Sequence, residues 1–351
     1  MGWTLPLTLS SGDESPRSYL CDPAIAYADY ALEEARLIGA GGPDAGACGR
    51  NRGGAGPAPV GATLAARALV PLARPLLRMA ALGRQAQINN WLLATNPCPP
   101  LTGSALDALA RDLAREHPDR AVVVRSLNDA ADGALIEGLR ERGWALLPAR
   151  QIYLLDAREA TPPRRRDERR DAALARRSAY RIRSARSFTD KEWTRAAALY
   201  AMLYRQRYTP LNPDYTATYM REMSEAGILD VTGLQLAGLG GPDGLAGVSG
   251  LFRLGDSVTQ PVVGYDTSAD RRLGLYRMLM LGAMEHARRE KRLYNLSAGA
   301  AAFKRNRGGR PAIEFTAVRD HHLPRPRRAA TRTIAAILSR VGVPVMRRYG
   351  L

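Results

Sequence analysis

Histidine and cysteine are scarce in this chain of 351 residues, at four and three copies. Cys21, Cys48 and Cys98 form no CxxC pair, and no histidine cluster lies beside them. That excludes the usual spacing of a structural zinc site and of a disulfide framework, and no metal is expected. Widely separated thiols fit a reducing compartment. Long apolar runs are also missing. The most apolar window, VGATLAARALVPLARPLLRMAAL, is broken by Arg67, Arg74, Arg78 and two prolines, so it cannot span a bilayer. The opening MGWTLPLTLSSGDESPRSYL has no basic region followed by an apolar stretch, so no signal peptide is expected. The expectation is a cytoplasmic protein without membrane-surface contact.

Acidic residues are outnumbered, 34 against 51 Lys+Arg, which leaves a formal charge of +17. The excess is nearly all arginine. It suits an anionic partner such as a phosphorylated cofactor, a nucleic acid or an anionic lipid surface. A GC-rich coding bias towards arginine accounts for it equally well. Hydrophobic residues make up 46% of the chain, enough to bury a core and to exclude wholesale disorder.

Residues 1–60 read as an N-terminal extension that includes the Gly/Pro-rich loop GGPDAGACGRNRGGAGPAPV. Residues 61–160 form a first domain and 161–186 a basic connector whose arginines face solvent. Residues 187–322 form a second domain, and 323–351 a basic amphipathic tail expected to dock on the protein.

The two halves share an order of elements. LTGSALDALARDLAREHP is an amphipathic helix, AVVVRSLN a buried strand, DGALIEGLRERG a helix and WALLPARQIYLLD a strand. Later, GLYRMLMLGAMEHARREK, RLYNLS, AAAFKRNRGG and PAIEFTAV repeat helix, strand, short helix and strand. Alternating helices and strands predict α/β layers. An internal duplication explains the repeat; chance also produces such alternation.

The segment PVVGYDTSADRRLGLYRML joins a strand ending near Tyr265 and Asp266 to a helix. A helix start offers unpaired N–H groups to a phosphate. Gly274 would let a diphosphate approach the backbone, and Arg271 and Arg272 would add charge-assisted hydrogen bonds. The dipole alone is worth only about 0.3–1 kcal/mol, so the N–H groups and arginines must do most of the binding.

Here the chain resembles the GNAT superfamily of acyl transferases, whose pyrophosphate signature is Q/R-x-x-G-x-G/A. The sequence supplies Arg271-x-x-Gly274-x-Tyr276, with Tyr276 in place of the small third residue. The surrounding order of elements and the Phe303-Lys304 pair look like the tandem branch that includes Fem-type aminoacyl transferases. The resemblance covers roughly residues 85–320. It implies two tandem GNAT-like mixed-sheet domains of α/β (α+β) class, with helices packed on both faces and the first domain degenerate.

It further implies an acyl-CoA donor, acetyl-CoA or longer, held by Arg271, Arg272, Gly274, Tyr276, Asn295, Ser297 and Phe303. The acyl-pantetheine arm would enter a gap between two parted parallel strands, kept open by Ala298, Gly299 and Ala300. A packing role for these small residues is the alternative. Asp266 is the candidate base, with helix capping as its alternative. Lys304 is the candidate for oxyanion or phosphate contact, with a surface role as its alternative. The tyrosine in the short helix that many GNAT enzymes use as thiolate acid is missing. Glu314 lies on one face of its strand with its direction open. Tyr208, Asn212, Tyr215 and Tyr265 are candidates for the acceptor site, with packing in the loop or core as their alternative. The first half lacks the arginine motif at TNPCPPLTGSALDAL, so it is not expected to bind a second coenzyme A; Asn90, Arg125 and Asn128 are its substrate-contact candidates. The favoured partner is a small-molecule amine. A Fem-type transferase that uses aminoacyl-tRNA is the alternative, and a non-catalytic nucleic-acid or protein binder a third. Oligomeric state is left open.

Overall fold

The computed structural model describes residues 3–12, 18–21, 26, 74–158 and 164–350. The predicted loop at 41–60 and Cys48 lie outside the described residues. The chain divides into two compact units. Of the described residues, the first holds those up to 152 and those from 311 on; the second holds 153–158 and 164–310.

In the first unit the strands run in the order β1-β2-β3-β10, with β1 Leu7–Ser10, β2 Gln85–Ile88, β3 Ala121–Asn128 and β10 Arg310–Arg319. Helices α1 (Gly103–Glu116) and α2 (Asp129–Glu141) follow β2 and β3. Their packing depends on Gly103, whose added Cβ would lie 2.7 Å from the Gly138 backbone. Leu106, Ala110, Leu135 and Leu139 close a core over Ile88, Val122 and Val124. On the other face, Ala121, Val123 and Val318 meet Ala330 and Ile334 of α8 (Arg325–Ile337). The C-terminal basic helix therefore docks by its apolar stripe, as its periodicity predicts.

β4 (Ala145–Asp156) leaves the first unit at Ile152, and its last residues belong to the second. The second unit continues with α3 (Arg166–Arg177), β5 (Tyr180–Ser184) and α4 (Asp190–Ala201), which runs into a π-helical segment, Met202–Tyr208. Then come α5 (Ala217–Glu225), β6 (Leu229–Leu236), β7 (Leu245–Leu254), β8 (Ser257–Tyr265), α6 (Leu275–Arg289), β9 (Leu293–Asn295) and α7 (Ala301–Asn306). The strand order is β9-β8-β7-β6-β5.

The segment expected as a connector is thus helix and strand. Its arginines are largely exposed, but its acids Glu168 and Asp171 are buried. The strand expected to close the second domain, β10, lies almost wholly in the first unit.

Each unit repeats one order: strand, loop, helix, parallel strand, helix. β2 pairs with β3 from Gln85↔Ala121 to Ile88↔Val124, and β8 pairs with β9 from Ser257↔Leu293 to Thr259↔Asn295, both parallel. The structure is mixed α/β in both units. Among the described residues no helix is long and apolar enough to cross a membrane.

Candidate active site

The parallel pairing of β8 and β9 ends at Thr259↔Asn295. Beyond that point the two chains follow different neighbours. β8 stays with β7 through Val262↔Gly250, Val263↔Ser249, Gly264↔Val248 and Tyr265↔Gly247. The chain after β9 stays with Tyr153, whose N–H donates to Ser297 O (3.2 Å) and whose carbonyl accepts from Leu296 N (2.9 Å). Two neighbouring strands are therefore parted, and each is held to its outer partner.

The parting point carries a buried polar chain. The Tyr294 hydroxyl donates to Gln260 Oε1 (2.7 Å), and Gln260 Nε2 donates to Ser249 Oγ (2.7 Å). Burial raises the Tyr294 phenol far above its ordinary pKa, so it stays a neutral donor. β7 and β8 change register here, between Gly250↔Val262 and Phe252↔Thr259. Pro261 falls inside the irregularity, where a residue without an N–H is tolerated. None of Gln260, Tyr294 and Ser249 was singled out from the sequence. The only signal was a Gln-Pro pair inside an otherwise apolar strand.

The turn after β9 answers for the small residues in NLSAGAAAFK. Ser297, Gly299 and Ala300 take φ of +62°, +76° and +47°, the left-handed region that costs a non-glycine residue about 1–2 kcal/mol. Asn295 Oδ1 accepts from Ser297 N at 2.8 Å. Lys304, only 3% exposed, donates from Nζ to the carbonyls of Ser297 (3.1 Å) and Ala298 (2.5 Å). Lys304 is therefore a buried clamp on the turn, and the surface alternative is overturned. Phe303 is buried too, between Tyr276 (5.1 Å between centroids) and the guanidinium of Arg307, 3.5 Å from its ring centroid.

At the other side of the wedge, Asp270 ends the loop, accepting from Arg272 N (2.9 Å) and Arg272 Nη2 (2.6 Å). The Arg272 side chain is thus engaged within the loop. Arg271 is exposed. Gly274 is the N-cap of α6 at φ +65°, and an added Cβ would lie 2.4 Å from Leu174 Cδ2 of α3. The left-handed φ favours glycine, and a Cβ would have to push aside the end of the Leu174 side chain. The first-turn N–H groups that follow have no intrahelical acceptor. Tyr276 packs between Tyr265 (6.0 Å) and Phe303, so the third motif position serves as an aromatic wall linking β8, α6 and α7.

Asp266 does not have the setting of a base. Its Oδ1 accepts from Ser268 N (3.0 Å) and Ser268 Oγ (2.5 Å), and its Oδ2 accepts from Arg195 Nη2 (2.8 Å). The Ser268 hydroxyl and the Arg195 guanidinium hold its carboxyl below the ordinary aspartate range. The turn-capping alternative is the one its contacts favour.

The predicted acceptor residues pack instead. Asn212 is 3% exposed and donates to Tyr204 O (3.0 Å) and Thr209 O (3.2 Å). Tyr215 is buried between Tyr200 (5.0 Å) and Tyr219 (4.9 Å), and Tyr208 stacks on Tyr204 (5.6 Å). These contacts build a ladder of stacked tyrosines, and Tyr208 and Tyr265 both pack on the cluster that includes Val263 of β8 and Leu275 of α6.

In the first unit, Glu314 faces inward to a buried ion pair with Arg150 Nε (2.9 Å), and Arg150 Nη2 also donates to Ala94 O (2.7 Å). Asn90 and Asn128 serve turns: Asn90 Oδ1 accepts from Leu92 N (3.1 Å), and Asn128 Oδ1 accepts from Ala131 N (2.9 Å). Arg125 donates to Leu20 O (3.2 Å). The loop that corresponds to the anion loop is occupied by its own side chains. Trp91 Nε1 donates to Asn89 Oδ1 (2.9 Å), and Asn89 Nδ2 donates to Pro97 O (2.9 Å).

Residues 163–305 match the family described as "Acetyltransferase (GNAT) domain". Over this segment, less than half of its length, the chain is similar to the GNAT acyltransferases. No curated protein matches the sequence. Among solved structures, the chain is similar to the C-terminal domain (DUF2156) of a putative lysylphosphatidylglycerol synthetase from Agrobacterium fabrum. The two are 12% identical over 76% of this chain and 91% of that one, with a TM-score of 0.47. FemX is 10% identical over 61% of this chain and 76% of its own, with a TM-score of 0.47. A tandem GNAT protein from the clavulanic acid biosynthesis pathway is 15% identical over 90% and 98%, with a TM-score of 0.36.

Proposed function

We propose that the second unit binds an acyl-coenzyme A in the wedge between β8 and β9 and transfers its acyl group to an amine of a small molecule or amino acid. The observation that carries this reading is the parting of the two strands beyond Thr259 and Asn295, each held to its outer neighbour. A strand edge opened in this way offers N–H and C=O groups to the amides of an extended arm, as in strand addition. The start of α6, with Gly274 at its cap and Arg271 exposed beside it, offers donors to a pyrophosphate.

In the reaction the amine nitrogen attacks the thioester carbonyl, a C–N bond forms, and the C–S bond breaks. The amine loses a proton and coenzyme A leaves as a thiol. Lys304 places a cation under the turn at the wedge and fixes two carbonyls there. Asp266 orients the anion loop through Ser268 and Arg195 rather than taking a proton. The reduced thiols of Cys21 and Cys98 suit a cytoplasmic setting.

The net charge of +17 favours a second reading, in which the donor is an aminoacyl-tRNA. Calorimetric titration with coenzyme A, acetyl-CoA and longer acyl-CoAs tests the first reading, and binding to none of them removes it. An RNA shift assay across salt concentrations tests the second, since phosphate-driven binding falls steeply with salt.

A further inference from the structure

The first unit carries a cationic cavity outside the wedge. Helix α8 has arginines at 325, 327, 328 and 332 and no acidic residue in its first turn. Arg327 turns inward, donating to the carbonyls of Ala80 (3.3 Å), Ala81 (3.1 Å) and Asp119 (2.8 Å). His321, Arg325, Arg328 and Arg332 instead line a cavity of about 330 Å³, with Ala329 the sole apolar residue in its lining.

The way these cations are held matters more than their number. Arg332 Nη2 donates to Gly143 O at 2.8 Å, and His321 Nε2 lies 3.0 Å from the same oxygen. Gly143 has φ +73°, and an added Cβ would come within 2.9 Å of His321 Nε2. Arg328 Nη1 donates to His321 O at 3.2 Å. Carbonyls therefore orient Arg328, Arg332 and His321. The buried Asp320 carboxylate pairs with Arg332 at 3.4 Å, and among the described residues no carboxylate pairs with Arg328. Arg325 makes no hydrogen bond or ion pair to a described residue. Elsewhere guanidiniums meet buried carboxylates, as Arg150 does Glu314 at 2.9 Å and Arg277 does Asp171 at 2.6 Å.

We infer that this cavity binds a phosphate ester. Guanidinium forks match phosphate oxygens in geometry and charge, and carbonyls hold two of these, Arg328 and Arg332, in place. The phosphate is carried by a small phosphorylated molecule or by an RNA backbone. The inference does not depend on the acyl-donor reading, because none of these residues takes part in the wedge.

Inorganic pyrophosphate titrated at low salt against the full chain, with the wedge saturated by coenzyme A, tests it. The wild type binds; R325Q weakens binding several-fold and the R325Q/R328Q double variant about tenfold or more. R340Q, which removes the same charge from outside the cavity, binds as the wild type does. Coenzyme A affinity is unchanged in all three, which separates this site from the wedge. Arg325 supports no described contact, so its single variant keeps the test valid should the double variant fail to fold. A short single-stranded RNA identifies the source. Displacement of pyrophosphate by RNA assigns the phosphate to a nucleic acid, and pyrophosphate binding without displacement assigns it to a small molecule. The inference is overturned if the wild type binds no pyrophosphate, if R325Q binds unchanged, if R340Q loses as much, or if anionic-lipid vesicles bind where pyrophosphate does not.

Discussion

Asp171 of α3 accepts from Arg307 Nε at 2.5 Å through one carboxylate oxygen and from Arg277 Nε at 2.6 Å through the other. Arg277 lies in the first turn of α6, and Arg307 covers Phe303 and donates to its carbonyl at 2.9 Å. One buried carboxylate thus ties the helix that starts at the anion loop to the short helix that carries Lys304. Removing one partner of a buried pair leaves an uncompensated charge, at a cost of about 3–5 kcal/mol. Asp171→Ala should lose stability on that scale in urea unfolding. A loss under about 1 kcal/mol, the size of an exposed pair, would show that Arg307 finds another acceptor.

Gly274 is favoured twice, by its left-handed φ and by the approach of Leu174. An alanine there must adopt αL at about 1–2 kcal/mol and displace the end of a flexible leucine. Gly274→Ala should lower coenzyme A affinity about tenfold while shifting the urea midpoint by no more than that strain implies. Calorimetry on the two proteins checks it. Unchanged affinity would show that a ligand does not approach this backbone.

Lys304 clamps a turn whose residues are otherwise strained. Hydrogen bonds to a charged group contribute about 1.5–3 kcal/mol each. Lys304→Met keeps the stem and removes the ammonium, so it should open the turn, reduce acyl-donor binding and destabilise the protein by about 2 kcal/mol or more. Lys304→Arg should not restore binding, because the planar fork does not fit a site shaped for a compact ammonium. Full donor affinity in both variants would separate the clamp from the donor site.

The element order of both units was readable because helical and strand periods alternate cleanly in segments such as LDALARDLARE and AVVVRSLN. The parted strands were anticipated from the small residues after Ser297, but their reason was only partly visible. It lies in left-handed turn geometry and a lysine clamp, and backbone angles do not show in composition. Glu168 and Asp171 were hidden in an arginine-rich run, because a buried acid and a solvated one look alike until a helix face is assigned. Asn212 and Tyr215 were left between two roles for the opposite reason. A tyrosine-dense loop suits a pocket as well as a core, and only the ring stacking distinguishes them. The return of β10 to the first unit is a long-range pairing, which local sequence does not encode.

Asp266 supplies the last prediction, through its titration. Its carboxyl is held below the unfolded value of about 3.9 by the Ser268 hydroxyl and the Arg195 guanidinium. A depressed carboxyl stabilises the fold fully above the unfolded value, and the contribution is lost as pH falls through the folded one. The stability difference between the wild type and Asp266→Asn should therefore be constant from about pH 5 to 8 and shrink below about pH 4. A group already ionised across the neutral range cannot shape a rate profile there. With any amine that supports turnover, kcat/KM for Asp266→Asn should keep the wild-type dependence between about pH 6 and 9. Disappearance of an ionisation from that profile would restore Asp266 as the base and set its Arg195 contact aside as a feature of the unliganded enzyme.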